Sequence, residues 1–312
     1  MPSHHFNRIV GQYHGNLPGP SLIITGGLHG NEPGGLIAAE RVLLDLEHNR
    51  RPFSGTLSVL ACNLSALKAG RRFIDRDLNR RWTDAHLLEL SGRPETELGA
   101  EDREQLELFG LFQALEQKII NTKSHLVFLD LHTTSGQSPP FVCFADTPSN
   151  RAIASQLALP SILGLEEIID ASMLRWLSGR GHIGIAIEGG QHETEAAVLA
   201  HISAIWLFFA AAGAMRAEDV PDFKEHQLKL ASSWPKVPPV LQIRHRHVVG
   251  PEDTFVMRPG FQSFEPVRLG QVLADCNGQE IRSPMDALLL MPRYQPQGED
   301  AFFLAAPAGA IR

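Results

Sequence analysis

The chain is 312 residues long, with 43% hydrophobic and 20% charged residues and a formal net charge of -7, and its pI is near 6.0. That length allows one large domain, or one large and one small, around a substantial core, and the balance of residues excludes a disordered chain. No long basic run occurs, so neither nucleic acid nor an anionic membrane is an expected partner, whereas a small anionic substrate met by a few local arginines is compatible with these numbers.

At the N-terminus, M-P-S-H-H-F-N-R-I-V has no basic segment followed by an apolar one, so no signal peptide is expected. The run S-L-I-I-T over Ser21–Thr25 reads as a buried strand ending at Gly26 and Gly27. Pro33 stands where a helix would start, and G-L-I-A-A-E-R-V-L-L-D-L follows with apolar residues at helical spacing. Thr56–Ala61 predicts a second strand, Glu101–Ile120 a long amphipathic helix, Leu126–Leu131 a third strand and Ile183–Ile187 a further short one.

Residues 196–215 contain no Asp, Glu, Lys or Arg, and a bilayer helix needs ~20 such residues. The run is rich in Ala, carries His201, Ser203 and Gly213, and lacks flanking lysines or an aromatic belt at both ends. A core helix of a soluble protein is the better reading. The alternation of strands and helices predicts an α/β layered catalytic domain over residues 1–217. D-V-P-D-F-K-E-H and S-S-W-P-K-V-P-P then read as a linker over 218–234. Short alternating runs between Gly and Pro predict a small β-rich C-terminal domain over 235–312. Cys62, Cys143 and Cys276 are odd in number and widely spaced, which predicts no disulfides, a cytoplasmic location and three small buried hydrophobes.

The strongest segment for chemistry is G-G-L-H-G-N-E-P-G-G, residues 26–35. His29 and Glu32 stand where a strand gives way to a helix, in the Gly-rich mouth where open α/β sheets place ligands. An imidazole and a carboxylate there can share one ion. H-x-x-E alone is a weak signal, and among fourteen histidines any one can be an ordinary loop or core residue. His132, at the end of L-V-F-L-D-L-H-T-T, follows another strand and completes two His and one Glu, the ligand set of a catalytic zinc with an open position.

Glu188, in E-G-G-Q-H just past I-G-I-A-I, is placed to serve as the base for such a centre; the alternative is a surface glutamate before a turn. R-R-F-I-D-R-D-L-N-R-R-W, residues 71–82, packs five arginines into twelve positions. It reads either as a solvated charged loop or as a grip on a substrate carboxylate with a cation to polarise a carbonyl. H-R-H at 245–247 would place two imidazoles on one strand face, but without a third ligand it carries no metal site.

Taken together, the elements G-G-x-H-G-N-E, D-L-N-R, D-L-H-x-T and I-E-x-G, in that order between residues 26 and about 190, resemble the succinylglutamate desuccinylase/aspartoacylase family, relatives of the zinc carboxypeptidases. The resemblance implies a carboxypeptidase-like mixed sheet flanked by helices, with a small β-rich C-terminal domain. It implies one zinc per chain on His29, Glu32 and His132, with Glu188 activating water and passing its proton to the leaving amine. Arg72 matches the arginine that polarises the scissile carbonyl, Asn79 and Arg80 match the pair that holds a substrate carboxylate, and Asp77 orients that segment. The implied reaction is hydrolysis of an amide in a small carboxylate-bearing substrate such as an N-acyl amino acid, by an enzyme that can form a homo-oligomer. A carboxypeptidase-like peptidase and a non-catalytic metal-binding protein are the competing readings. Two departures stand out: neither Arg175 nor Arg180 has the spacing of the family's further arginine for an acyl-side carboxylate, and of the two tyrosines, Tyr13 and Tyr294, only Tyr294 is near the C-terminus, in a tail that does not align with the family's site tyrosine.

Overall fold

Among the described residues the apolar runs pair side by side into one mixed sheet of 11 strands, which the amphipathic segments cover on both faces. The structure is a computed structural model that describes residues 5–120, 125–169, 171–234 and 236–308. The first four residues of the stretch read for a leader lie outside the described residues, as do position 235 and the last four residues of the expected C-terminal domain.

In chain order the elements are β1 (Ile9–His14), β2 (Leu17–Gly26), α1 (Gly34–Asn49), β3 (Ser54–Ala61), α2 (Leu64–Ala69), α3 (Asp84–Ser91), α4 (Ala100–Ile119) and β4 (Leu126–Thr134). There follow β5 (Phe141–Phe144), α5 (Pro148–Ala154), β6 (Ser161–Leu163), α6 (Leu165–Ile168), α7 (Met173–Gly179), β7 (Ile183–Gln191), α8 (Glu195–Ala211) and α9 (Phe223–Ser232). The C-terminal part adds β8 (Val240–Val248), β9 (Phe255–Met257), β10 (Pro266–Val267), β11 (Val272–Cys276), β12 (Gln279–Arg282), β13 (Ala287–Leu290) and β14 (Asp300–Pro307). The large sheet has the order β1-β3-β2-β4-β7-β5-β6-β8-β14-β13-β10, and β12-β11-β9 form a second, three-stranded sheet.

At the centre β3, β2, β4 and β7 are parallel, so their carboxyl ends open along one edge. All nine residues of β4 are buried, as expected for a parallel strand covered on both sides. Alternate residues face opposite cores: Leu129 and Leu131 pack with α1 and α8, while Leu126 and Phe128 pack with Phe112, Trp82 and Trp176. The charge-free run becomes α8, with Ile205, Trp206, Phe208 and Phe209 buried. Among the described residues no helix is long and apolar enough to cross a membrane.

The region expected to link two domains carries a ten-residue helix, α9, whose Leu230 is buried; its Pro-rich flanks are what the sequence reading detected. The β-rich C-terminal region forms, but β8 pairs parallel with β6, and β14, β13 and β10 continue outward from it. These strands therefore extend the main sheet, and the β13–β14 hairpin loop, residues 291–299, comes back toward the carboxyl edge. Cys62 and Cys143 are buried as expected, whereas Cys276 is only half-buried; all three are free thiols.

The fit of α1 against β4 fixes the floor beneath the site. A Cβ on Gly35 would stand 2.4 Å from the Leu131 Cβ, and β4, locked between two neighbours, cannot retreat. Gly35→Ala therefore loses stability by about 1–3 kcal/mol from overpacking, measured by urea denaturation, even though Ala favours a helix by up to about 1 kcal/mol. Unchanged or increased stability would show that this contact is slack.

Candidate active site

Three strand ends build the site. After β2, Gly27 turns the chain in the left-handed region (φ 63°), and the loop through His29 and Glu32 leads to Pro33 and α1. A Cβ at Gly30 would lie 2.0 Å from the Ala66 carbonyl carbon, so only glycine lets this loop rest on α2. There its N–H donates to the Arg72 carbonyl at 3.1 Å. His132 sits near the carboxyl end of β4, directly beside Glu188 of β7 in the parallel register. The sequence reading thus brought together residues that the fold does place side by side.

His29 Nδ1 lies 2.9 Å from Glu32 Oε1, and His132 Nδ1 lies 3.1 Å from Glu32 Oε2. The far nitrogens are engaged by other carboxylates: His29 Nε2 is 3.2 Å from Asp77 Oδ1, and His132 Nε2 is 2.9 Å from Asp130 Oδ2. Thr25 Oγ1 in turn donates to Asp130 Oδ1 at 2.8 Å, and the Thr133 N–H donates to Glu32 Oε2 at 3.0 Å. A carboxylate on each Nε2 orients the ring and turns each Nδ1 inward. His29, Glu32 and His132 each offer one ligand atom, all within 4.8 Å of one another, and the three side chains are nearly enclosed, at 5%, 3% and 6% exposure. The group can hold a metal ion.

Burial works to protonate Glu32, but His29 and His132 outweigh it and hold the carboxyl well below the usual range. Burial works against charge on His132, and Asp130 and Glu32 outweigh it, raising its proton affinity well above the ordinary imidazole value. Asp77 is likewise desolvated yet held well below the usual range by Arg72 and His29.

The same cavity, about 110 Å³, is lined by Glu188, Arg72, Asn79 and Arg80. Glu188 Oε2 is buried without a hydrogen-bond partner. Burial raises its carboxyl to about 7; His132 opposes the rise and Glu32 adds to it. Arg72 donates through Nε and Nη2 to Asp77 Oδ2 at 3.3 and 2.9 Å, with Nη1 3.6 Å from Glu32. Asp77 therefore links Arg72 to His29.

The pair expected to hold a substrate carboxylate is engaged by the protein itself. Asn79 Oδ1 accepts from the Met173 N–H at 2.9 Å. Arg80 donates through Nε to Glu299 at 2.9 Å and through Nη2 to Asp300 at 2.7 Å. Neither Arg175 nor Arg180 lines the cavity: Arg175 donates to the Glu166 and Glu167 carbonyls, and Arg180 to Glu116. The Tyr294 hydroxyl bonds to the Arg258 and Phe261 backbone and does not line the cavity.

Two contributions escaped the sequence reading. The hairpin loop 291–299 brings Met291, Arg293 and Gln295 to the cavity, and Gln295 Oε1 accepts from Asn31 Nδ2 at 2.7 Å. Its signal is the Pro- and Gly-bearing turn P-R-Y-Q-P-Q-G between two apolar runs. The second is Glu101, wholly buried in α4. Its carboxylate accepts the N–H groups of Ile74, Asp75 and Arg76 at 2.7, 2.8 and 3.3 Å and the Asn63 amide at 3.1 Å. Nothing in an amphipathic helix pattern distinguishes such a glutamate from a solvated one. Because it clamps the loop between Arg72 and Asp77, Glu101→Gln should destabilise the protein by about 1–3 kcal/mol, the cost of leaving a buried donor unmet. A melting temperature equal to that of the parent protein would contradict this role.

Residues 18–203 match the family model of the succinylglutamate desuccinylase/aspartoacylase catalytic domain. The sequence is 35% identical over 126 residues to an N-acyl-aromatic-L-amino acid amidohydrolase (carboxylate-forming) of Xenopus tropicalis, covering 39% of this chain and 37% of that protein. It is 32% identical over 66 residues to a succinylglutamate desuccinylase of Burkholderia lata, covering 21% and 19% of the two chains. The chain thus spans little more than a third of the first relative and a fifth of the second. In fold it resembles the succinylglutamate desuccinylase of Vibrio cholerae, with a TM-score of 0.63 at 15% identity over 93% of this chain and 82% of that one. It also resembles the ectoine utilization protein EutE of Ruegeria pomeroyi, with a TM-score of 0.63 at 18% identity over 93% and 86%.

Proposed function

Because the chain belongs to the succinylglutamate desuccinylase/aspartoacylase family, we propose that it is a zinc-dependent amidohydrolase that removes the acyl group from a small N-acyl amino acid. The observation that carries this reading is the convergence of His29 Nδ1, His132 Nδ1 and Glu32 in one buried cup, with the orphaned Glu188 oxygen in the same cavity. The donor set fits a single zinc: two imidazoles, one carboxylate and a carboxylate behind each imidazole.

A zinc ion held by His29, Glu32 and His132 would supply a Lewis acid that lowers the proton affinity of water and polarises the substrate carbonyl. Glu188 is the base. With its carboxyl raised to about 7, it can take a proton from the attacking water and return it to the departing nitrogen near neutrality. Arg72, fixed on Asp77, meets the negative charge that develops on the carbonyl oxygen. The small cavity and the loop 291–299 across it favour a short substrate over a peptide. Free thiols in odd number suit a reducing cytoplasm.

Zinc added to metal-free protein should bind at one ion per chain and be lost in His132→Ala. The sign of its pH dependence follows from His132, whose proton affinity Asp130 and Glu32 raise in the metal-free protein and whose Nδ1 must be free of a proton to bind the ion. Uptake must expel that proton, so calorimetry in buffers of different ionisation enthalpy should record proton release, with affinity weakening as pH falls. Two ions per chain, or uptake without proton release, would contradict the assignment.

Glu188→Gln keeps the shape of the carboxyl but cannot accept a proton. Turnover of the best N-acyl amino acid should fall by about 10²–10⁴-fold, while zinc content by elemental analysis stays at the parent level. Near-parent activity would remove Glu188 from the role of base.

A further inference from the structure

Three guanidinium groups line the cavity, and their partners can be counted. Arg72 is held by Asp77 and Glu32. Arg80 is held by Glu299 and Asp300, with Asp77 at 4.0 Å. Arg293, from the hairpin loop, has no carboxylate within ion-pair distance among the described residues. One of its Nη atoms donates to the Gly298 carbonyl, and its guanidinium carbon lies 4.8 Å from the Phe255 ring centre. Its Nε is buried and makes no hydrogen bond.

A half-buried guanidinium with an orphaned donor is costly unless something arrives to pair with it. Burial and the neighbouring Arg72 cation both lower the pKa of Arg293, while Asp300 pulls the other way. A second positive charge close to Arg72 is unfavourable in the free protein and becomes favourable once an anion lies against it. The backbone keeps Arg293 there: its N–H donates to the Ala301 carbonyl at 2.9 Å. A Cβ on Gly298, which sits at φ +112°, would come 3.3 Å from Arg72 Nε, so the loop carries a glycine where it closes on the two arginines.

We infer that Arg293 is the anchor for the substrate's carboxylate, and that Arg80 instead ties the hairpin to the loop bearing Asp77. The inference rests on the deacylase reading and deepens it. The ligand is a planar carboxylate, whose two oxygens match the fork of guanidinium donors. With Arg80 committed to Glu299 and Asp300 and neither Arg175 nor Arg180 in the lining, Arg293 is, among the described residues, the one cation of the cavity without a carboxylate partner. Glu166 and Ser172, hydrogen-bonded to each other, line another part of its wall beside Leu165, Leu174 and Ile169. Among the described residues that wall offers nothing cationic to a second carboxylate, so the substrate class is an N-acyl amino acid with a neutral acyl group.

The test measures binding of N-acetyl-L-amino acids and their carboxamide analogues to the zinc-loaded Glu188→Gln protein by calorimetry. Further substitutions are Arg293→Gln, Arg293→Lys and Arg80→Gln, with zinc content and melting temperature recorded for each. Arg293→Gln should weaken carboxylate binding by at least about 30-fold, in line with removing one partner of a buried charge pair. It should leave carboxamide binding within a few-fold, and Arg293→Lys should restore part of the difference. Three outcomes overturn the assignment: equal loss of both ligands, selective loss in Arg80→Gln rather than Arg293→Gln, or no binding of any N-acetyl-L-amino acid to the parent. Turnover by the wild-type protein is a separate readout. If carboxylate binding depends on Arg293 but wild-type protein hydrolyses no N-acyl amino acid, the deacylase reading fails and the anion site stands.

Discussion

The site depends on a carboxylate behind each imidazole. Asp77 and Asp130 occupy the Nε2 sides of His29 and His132, and Glu32 lies between the two Nδ1 atoms. Three carboxylates in a nearly dry pocket repel one another, and Arg72 offsets only part of that charge. A cation at the common focus of the ligand atoms would neutralise what remains. This arrangement explains why the loops around it are held so closely. Glu101 clamps the Arg72–Asp77 segment, Gly30 lets the His29 loop lie on α2, and Gly35 seats α1 against the strand that carries His132.

The hairpin between β13 and β14 brings the C-terminal strands to the candidate site. By extending the main sheet from β6 through β8, they bring the 291–299 loop over the carboxyl edge. Gln295 reaches Asn31 in the His29–Glu32 loop, and Gln297 donates to the Phe73 carbonyl at 3.1 Å. The cover is thus tied on both sides of Arg72. A roof joined to the sheet by strand pairing keeps its side chains in fixed positions.

Much of the site was legible in the chain because its chemistry is local. His29 with Glu32, His132 and Glu188 each follow an apolar run at a strand end, where parallel sheets open, and that pattern survives in one dimension. Their mutual register was not legible, since pairing His132 with Glu188 depends on how β4 and β7 align. The arginine-rich segment was ambiguous for a different reason. Its composition reveals neither that Arg72 turns inward onto Asp77 nor that Arg80 reaches 219 residues along the chain to Glu299. Glu101 and Arg293 were hidden altogether, because a buried carboxylate in α4 and a cation in a hairpin loop look like ordinary surface residues. Pro-rich flanks on both sides give residues 218–234 the pattern of a linker, although ten of them form α9.

The most direct test of the central claim is a crystal structure of the zinc-loaded protein with anomalous diffraction recorded across the zinc edge. One peak is expected, bonded to the Nδ1 atoms of His29 and His132 and to the Glu32 carboxylate, with Asp77 and Asp130 still on the Nε2 atoms. A peak bonded through either Nε2, a second ion in the cavity, or density at a site away from these three residues would contradict the account.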